Sequence, residues 1–206
     1  MIGYYNYTVI LTYIGMISGF MGITYVLNGN IKYALICLLI SGFCDMFDGK
    51  IASTMKRTKQ EKRFGIQIDS LSDLICFGAL PALTVLKCTD GKLPYILISA
   101  LYLLCALIRL AWFNVDEEER QTQEEGSRKV YLGLPVTSAA LIIPFVIGVC
   151  CSLELPTGLI SPAALLAVAI AFLTPFHLRK PKLIGKLVMV ALGVAGVITV
   201  ILGVNI

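Results

Sequence analysis

Residues 44–73 read CDMFDGKIASTMKRTKQEKRFGIQIDSLSD, and this stretch decides what kind of molecule the chain makes. Asp45, Asp48, Asp69 and Asp73 stand inside or at the ends of segments otherwise apolar enough to cross a membrane. A carboxylate at the centre of a membrane helix costs about 2.5–3.5 kcal/mol on insertion scales, and less near a helix end. Four such costs in one short stretch call for something positive to gather them. A divalent metal ion is the natural candidate.

The rest of the chain agrees with a membrane setting. Of its 206 residues, 57% are hydrophobic and only 15% charged, with a mean hydropathy of +0.84. That composition excludes an ordinary soluble domain and predicts an all-α, polytopic transmembrane helical bundle. The length suits one integral-membrane domain over residues 1–206 rather than two. A net charge of +4 is modest; it reports topology, and no nucleic-acid partner is expected. The opening MIGYYNYTVI has no Lys or Arg before its apolar stretch and no A-x-A site, so residues 8–27 read as a span that stays. Seven cysteines and one His form no C-x-x-C pair or zinc pattern, and they read as buried free thiols.

Apolar segments separated by turn chemistry predict about seven spans, within a range of six to eight. They fall near residues 8–27, 31–52, 65–87, 93–114, 134–152, 161–175 and 183–204. One side of the membrane receives Lys50, Lys56, Arg57, Lys59, Lys62, Arg63, Arg109, Arg120, Arg128, Lys129, Arg179, Lys180, Lys182 and Lys186. The other receives only Lys32, Lys87 and Lys92. Fourteen against three places the basic loops, and the amino terminus with them, in the cytoplasm. Both aspartate-bearing helix ends then open toward the compartment that holds soluble metabolites.

Spacing brings the acids together. Asp45, Asp48, Gly49 and Ala52 are related by i, i+3, i+4 and i+7, and Gly65, Asp69 and Asp73 by i, i+4 and i+8. Each set lies on one helical face. The two spans are antiparallel neighbours joined by a loop of about twelve residues, so the acidic faces meet at similar depth. Mg²⁺ and Mn²⁺ take carboxylate oxygens and keep positions open for phosphates, and two ions roughly 3.5–4 Å apart suit displacement at phosphorus. Gly49, Ala52 and Gly65 leave room for a nucleotide diphosphate to approach the backbone.

The string D-x-x-D-G-x-x-A … G-x-x-x-D-x-x-x-D, formed by Asp45, Asp48, Gly49, Ala52, Gly65, Asp69 and Asp73, resembles the signature of CDP-alcohol phosphatidyltransferases. Two departures stand out. Ser53 occupies a position where that family usually has Arg, and the stretch from there to Gly65 is about three residues longer than usual. Arg57 is the candidate for the missing charge. Within the family, three further strings resemble phosphatidylserine synthases. They are Asp69-Ser70-Leu71-Ser72-Asp73 running into Cys76-Phe77-Gly78 and Pro81-Ala82, then Arg109-Leu110-Ala111-Trp112-Phe113-Asn114, then Tyr131-Leu132-Gly133-Leu134-Pro135-Val136. Trp112 stands where a second Arg is usual. The resemblance covers about residues 8–150, and the extra spans over about 159–206 carry no motif.

The resemblance implies transfer of a phosphatidyl group from CDP-diacylglycerol to the hydroxyl of L-serine, with CMP released. It implies Asp45, Asp48, Asp69 and Asp73 as ligands of Mg²⁺ or Mn²⁺, two ions per site, with Asp69 able to bridge and Asp73 also the base. Gly49, Ala52, Ser53, Arg57 and Gly65 would bind CDP. Arg109, costly in its apolar run unless paired, is the candidate for serine's carboxylate or a phosphate, the alternative being a snorkelling helix anchor. Membrane lipids are expected partners. The setting implied is the plasma membrane of a prokaryote, crossed several times, with the site facing the cytoplasm. Other acceptors (glycerol phosphate, inositol phosphate) or an archaeal-type lipid donor remain alternatives. A small ion transporter is a remote one, since its acids would spread through the membrane depth.

The remaining features read more plainly. The run Asp116–Glu119, with Glu124 and Glu125, is a solvated face, His177 is an ordinary loop residue, and Trp112 is an interface anchor. The loop KRTKQEKR is topogenic or touches anionic headgroups. Gly15-x-x-x-Gly19, with Gly22, is a close-packing face that serves either internal packing or a homodimer.

Overall fold

The computed structural model describes residues 3–123, 130–179 and 183–204, with side chains described outside 121–131 and 178–192. Arg128, Lys129, Glu124, Glu125, Lys180 and Lys182, and the side chains of Tyr131, Arg179 and Lys186, lie outside that set. The helices are α1 (Ile10–Leu27), α2 (Ile31–Ala52), α3 (Lys59–Asp73), α4 (Leu80–Lys87), α5 (Leu93–Gln123), α6 (Ala139–Ser152), α7 (Thr157–Leu173) and α8 (Leu183–Gly203). A π-helical segment, Leu74–Ala79, makes α3 and α4 one continuous rod, so the eight helices form seven rods where seven spans were expected. Two short strands, β1 (Val130–Leu132) and β2 (His177–Arg179), pair antiparallel, with Val130 opposite Arg179 and Leu132 opposite His177.

Among the described residues, three rods are long and apolar enough to cross a membrane: Tyr7–Leu27, Lys59–Lys87 and Leu93–Arg120. The surface fits such a solvent. Ile10, Ile14, Ile17 and Phe20 on α1, and Leu97, Leu101, Leu104 and Leu107 on α5, all face outward. The interior is built from Leu35, Leu38, Phe77, Leu80, Tyr102, Ile143, Leu165 and Phe172. Between apolar rods in lipid, association depends on close packing more than on burial from water. The small-residue face of α1 supplies it from within, since Gly15 lies against Cys44, Gly19 against Cys76, and Gly22 against Cys37 and Leu80. A Cβ at Gly19 would come 3.2 Å from the Cys76 Cα, so that face is occupied internally and offers nothing to a second copy. All seven cysteines are free, five of them buried.

Three helices extend beyond the sequence reading, each for a local reason. The rod expected to start at residue 65 starts at Lys59. Thr58 caps it, its hydroxyl accepting from the Glu61 N–H at 3.2 Å while the Thr58 N–H donates to Glu61 Oε2 at 2.8 Å. This capping box satisfies donors that would otherwise be orphaned, and it shortens the α2–α3 loop to residues 53–58. At its far end α5 runs on past residue 114 to Gln123, helped by the Arg120–Glu117 pair at 2.6 Å. Finally, α7 begins at Thr157 rather than at Ser161, with Pro162 inside it. Ser161 fits there because its hydroxyl bonds back to the Thr157 carbonyl at 2.7 Å.

The π segment explains one of the quoted strings. Pro81 has no N–H, so the Phe77 carbonyl four residues earlier loses its helical donor. The hydroxyl of Tyr102, a fully buried residue, donates to that carbonyl at 2.6 Å. The Leu80 N–H reaches back five residues to the Ile75 carbonyl, which is the π pattern. The Phe77-Gly78 and Pro81-Ala82 pieces are thus the local code for a helix re-phased just beyond Asp73, with Phe77 lining the cavity described next.

Candidate metal and phosphate centre

Antiparallel α2 and α3 bring the acidic faces together as their spacing predicts. Carboxylate oxygens of Asp45, Asp48 and Asp69 lie within 4.8 Å of one another. Asp73 lines the same cavity, together with Thr12, Gly15, Ser41, Cys44, Ser72, Cys76 and Phe77. Four carboxylates and no Lys, Arg or His line this space. That donor set is the one a hard divalent cation takes, and without a cation such crowding has no electrostatic balance. The cavity is partly open and about 10 Å³ in volume, enough for a bare ion or one water, so a nucleotide must lie outside it.

Hydroxyl groups orient the acids. Thr12 on α1 donates to Asp48 Oδ2 at 3.3 Å. Thr137, on the 3-10 turn Val136–Ser138, is a hydrogen-bond partner of Asp45. Ser72 donates to the Thr12 carbonyl at 3.5 Å, and Ser41 to the Gly15 carbonyl at 2.9 Å, tying α3 and α2 to α1 around the cavity. The sequence reading did not single out these four residues. For two of them a signal was present: Thr12 sits at helical spacing on the Gly15–Gly19–Gly22 face, and Ser41 one turn before Asp45. Nothing local marks Thr137.

The residues expected to hold a nucleotide sit beyond the acids, toward the α2–α3 loop. Gly49 is exposed, with no heavy atom within 4 Å of where a Cβ would stand, so the surface above it is open. Ala52 is half-buried near the end of α2. Ser53 is exposed and its hydroxyl donates to the Lys50 carbonyl at 2.6 Å. Arg57 and Gly65 are brought together, since a Cβ at Gly65 would stand 3.1 Å from Arg57 Nη1. The loop cation therefore leans over the glycine of the second acidic helix.

Arg109 is buried at 7% exposure, off the cavity lining. Its Nε donates to the Leu134 carbonyl at 3.2 Å, and its guanidinium lies 5.3 Å from the Trp112 ring, which is 41% exposed as an interface anchor would be. Two of the quoted strings thus meet. The Gly133-Leu134-Pro135 turn is held by Arg109 on one side, and on the other by the Gly133 N–H donating to the Phe176 carbonyl at 2.6 Å. Gly133 has a φ of +78°, which side chains rarely adopt, and a Cβ there would meet the Thr174 carbonyl oxygen at 3.0 Å. The turn leads directly into Thr137. Asn114, at the end of the same string, accepts from Ser70 Oγ and donates to Gln67 Oε1 at 3.3 Å, joining α5 to α3. In the acidic run beside it, Glu118 makes a surface pair with Arg63 at 3.6 Å, while Glu117 and Arg120 pair with their side chains largely buried, so the run is not the wholly solvated face expected.

A helical membrane bundle with carboxylates gathered from two antiparallel helices beside open glycines offers a donor set that suits a hard divalent ion. The family model for CDP-alcohol phosphatidyltransferase matches residues 5–201, and the chain belongs to that family. Among its relatives is an archaetidylserine synthase of Methanothermobacter thermautotrophicus, 33% identical over 135 residues, which are 65% of this chain and 54% of that protein. A CDP-diacylglycerol–serine O-phosphatidyltransferase of Bacillus subtilis is 28% identical over 141 residues, 67% of this chain and 73% of that one. The enzyme of that name from Saccharomyces cerevisiae is 31% identical over 143 residues, 64% of this chain and 51% of that one. The chain thus spans about half the length of two of these three relatives.

Proposed function

We propose that the chain transfers a phosphatidyl group from CDP-diacylglycerol to the hydroxyl of L-serine, giving phosphatidylserine and CMP. The observation that carries this reading is the single cavity lined by Asp45, Asp48, Asp69 and Asp73 on the family's spacing. The serine-accepting relatives support the choice of acceptor. The whole chain acts as one integral-membrane domain in the plasma membrane of a prokaryote, with its site on the cytoplasmic side, where the basic loops lie. Surrounding lipids deliver the donor, its acyl chains in the bilayer and its diphosphate at the interface.

Asp45, Asp48 and Asp69, with Asp73 beside them, would hold Mg²⁺ or Mn²⁺. Such ions supply neutralisation of the diphosphate and a better leaving group. Asp73 accepts the proton of the serine hydroxyl as its oxygen bonds to the β-phosphorus. The bond from that phosphorus to the bridging oxygen breaks, and CMP carries that oxygen away. Gly49, Ala52, Ser53 and Gly65 form the floor under the diphosphate, and Arg57 provides the charge absent at Ser53. Arg109 serves serine's carboxylate or a phosphate. Arg109→Lys keeps the charge but loses the planar fork, so it raises the serine KM; an unchanged KM and kcat would remove Arg109 from that role.

A second reading keeps the chemistry and changes the lipid. The archaetidylserine synthase among the relatives favours an archaeal-type donor, a CDP-activated lipid with ether-linked chains. One assay decides among these readings: purified protein, Mn²⁺ or Mg²⁺, each donor, and a panel of labelled alcohols, with CMP release followed. CMP with serine is the expected result. CMP only with glycerol phosphate or inositol phosphate would discard serine, and no CMP with any acceptor would sink the enzyme reading.

A further inference from the structure

The loop that departs from the family pattern is held from outside by the segment preceding α1. Tyr7 and Thr54 share a hydroxyl hydrogen bond of 3.0 Å at the loop's beginning. Beyond its end, the Tyr4 hydroxyl donates to Gln60 Oε1 at 3.1 Å, and the Tyr4 ring meets Phe64 edge-on at 5.4 Å. Asn6 Nδ2 donates to Glu61 Oε1 at 3.3 Å, while the other oxygen of the same carboxylate closes the capping box on Thr58. The strap is itself anchored, because the Tyr13 hydroxyl donates to the Tyr4 carbonyl at 3.2 Å and Asn6 Oδ1 accepts from the Thr8 N–H at 3.2 Å. Within this bracket lies Arg57, whose guanidinium leans over Gly65.

The six residues between α2 and α3 have no helix to fix them, and a cation among them grips a phosphate well only if that freedom is removed beforehand. We infer that Tyr4, Asn6 and Tyr7 are positioning residues: they hold the α2–α3 loop so that Arg57 stays beside Gly65, tuning the grip on the nucleotide diphosphate. The inference rests on the nucleotide role proposed for Arg57. It gives α1 two tasks, since the same helix sends Thr12 to Asp48 and continues back into the strap.

The test measures CDP binding to the full chain by calorimetry with Mn²⁺ present, alongside the KM for CDP-diacylglycerol, kcat and the Mn²⁺ half-saturation. The double variant Tyr4→Ala/Asn6→Ala is expected to weaken CDP binding and raise the donor KM about fivefold to tenfold, a loss of about 1–1.4 kcal/mol. Meanwhile kcat and Mn²⁺ half-saturation stay within about twofold. In an Arg57→Ala background the double variant adds nothing further. Unchanged CDP affinity in the strap variant, with Arg57→Ala weakened, overturns the inference and leaves the nucleotide role of Arg57 standing. Unchanged affinity in Arg57→Ala overturns that role instead. Should the double variant fail to fold, Tyr7→Phe and Tyr4→Phe are read in its place, and wild-type affinity in both overturns the inference.

Discussion

The middle of the α3–α4 rod and the turn beyond its end carry acids in opposite circumstances. At the first place Asp69 and Asp73 share a partly open cavity with Asp45 and Asp48, and none of its lining residues is basic. At the other, Asp90 follows the rod in an open turn, 46% exposed at its side chain, with the Lys92 ammonium 2.5 Å away. Lys92, by hydrogen bond and by charge, holds the Asp90 carboxyl below the usual carboxylate range. An acid in the open is satisfied by one mobile neighbour and by water, at little cost either way. Acids crowded together without a base repel one another, and a bound cation offsets that cost. The difference separates a site from an accident of composition.

Four substitutions break or sharpen that contrast. The largest effect belongs to Asp73→Asn, which keeps the side chain's shape and removes the base. Turnover should fall about a thousandfold while the protein stays folded in detergent, and retained activity would take Asp73 out of the proton transfer. Thr12→Val removes the hydroxyl that orients Asp48 and should weaken Mn²⁺ affinity about tenfold, read by titrating the metal directly. Equal affinity would show that Asp48 needs no such orienting. Tyr102→Phe strips the donor from the Phe77 carbonyl, and reversible unfolding should register a loss of about 1–3 kcal/mol. No loss would mean that the π segment satisfies itself.

The smallest effect is expected at the open end. Asp90→Asn should leave turnover and metal affinity at wild-type values. Because the folded carboxyl titrates below its unfolded value, its small stabilisation is present at neutral pH and is lost as pH falls through the folded value. Melting curves of Asp90→Asn and wild type should therefore converge in acid. A turnover defect at Asp90 would erase the contrast between the gathered acids and the open one.

Much of this was legible without coordinates because it follows from local rules. The acids fall on two helical faces by counting residues, and the loops sort by charge. The strings around Phe77, Arg109 and Gly133 could be quoted but not interpreted from sequence. Their meaning is contact between distant parts of the chain: Tyr102 on the Phe77 carbonyl, Arg109 on Leu134, Phe176 on Gly133. The third rod starts ahead of its apolar stretch because Thr58 and Glu61 cap it, a signal that hydropathy does not carry.

By itself, then, the sequence determined the all-α membrane class and the convergence of four aspartates. Those depend on hydropathy and the 3.6-residue period, both properties of the chain near each residue. Only the tertiary structure decided which hydroxyls orient the acids, where Arg109 points, and that the segment before α1 brackets the loop bearing Arg57. Such pairings join residues tens of positions apart. Their partners are chosen by how the rods pack, and no local period records that choice.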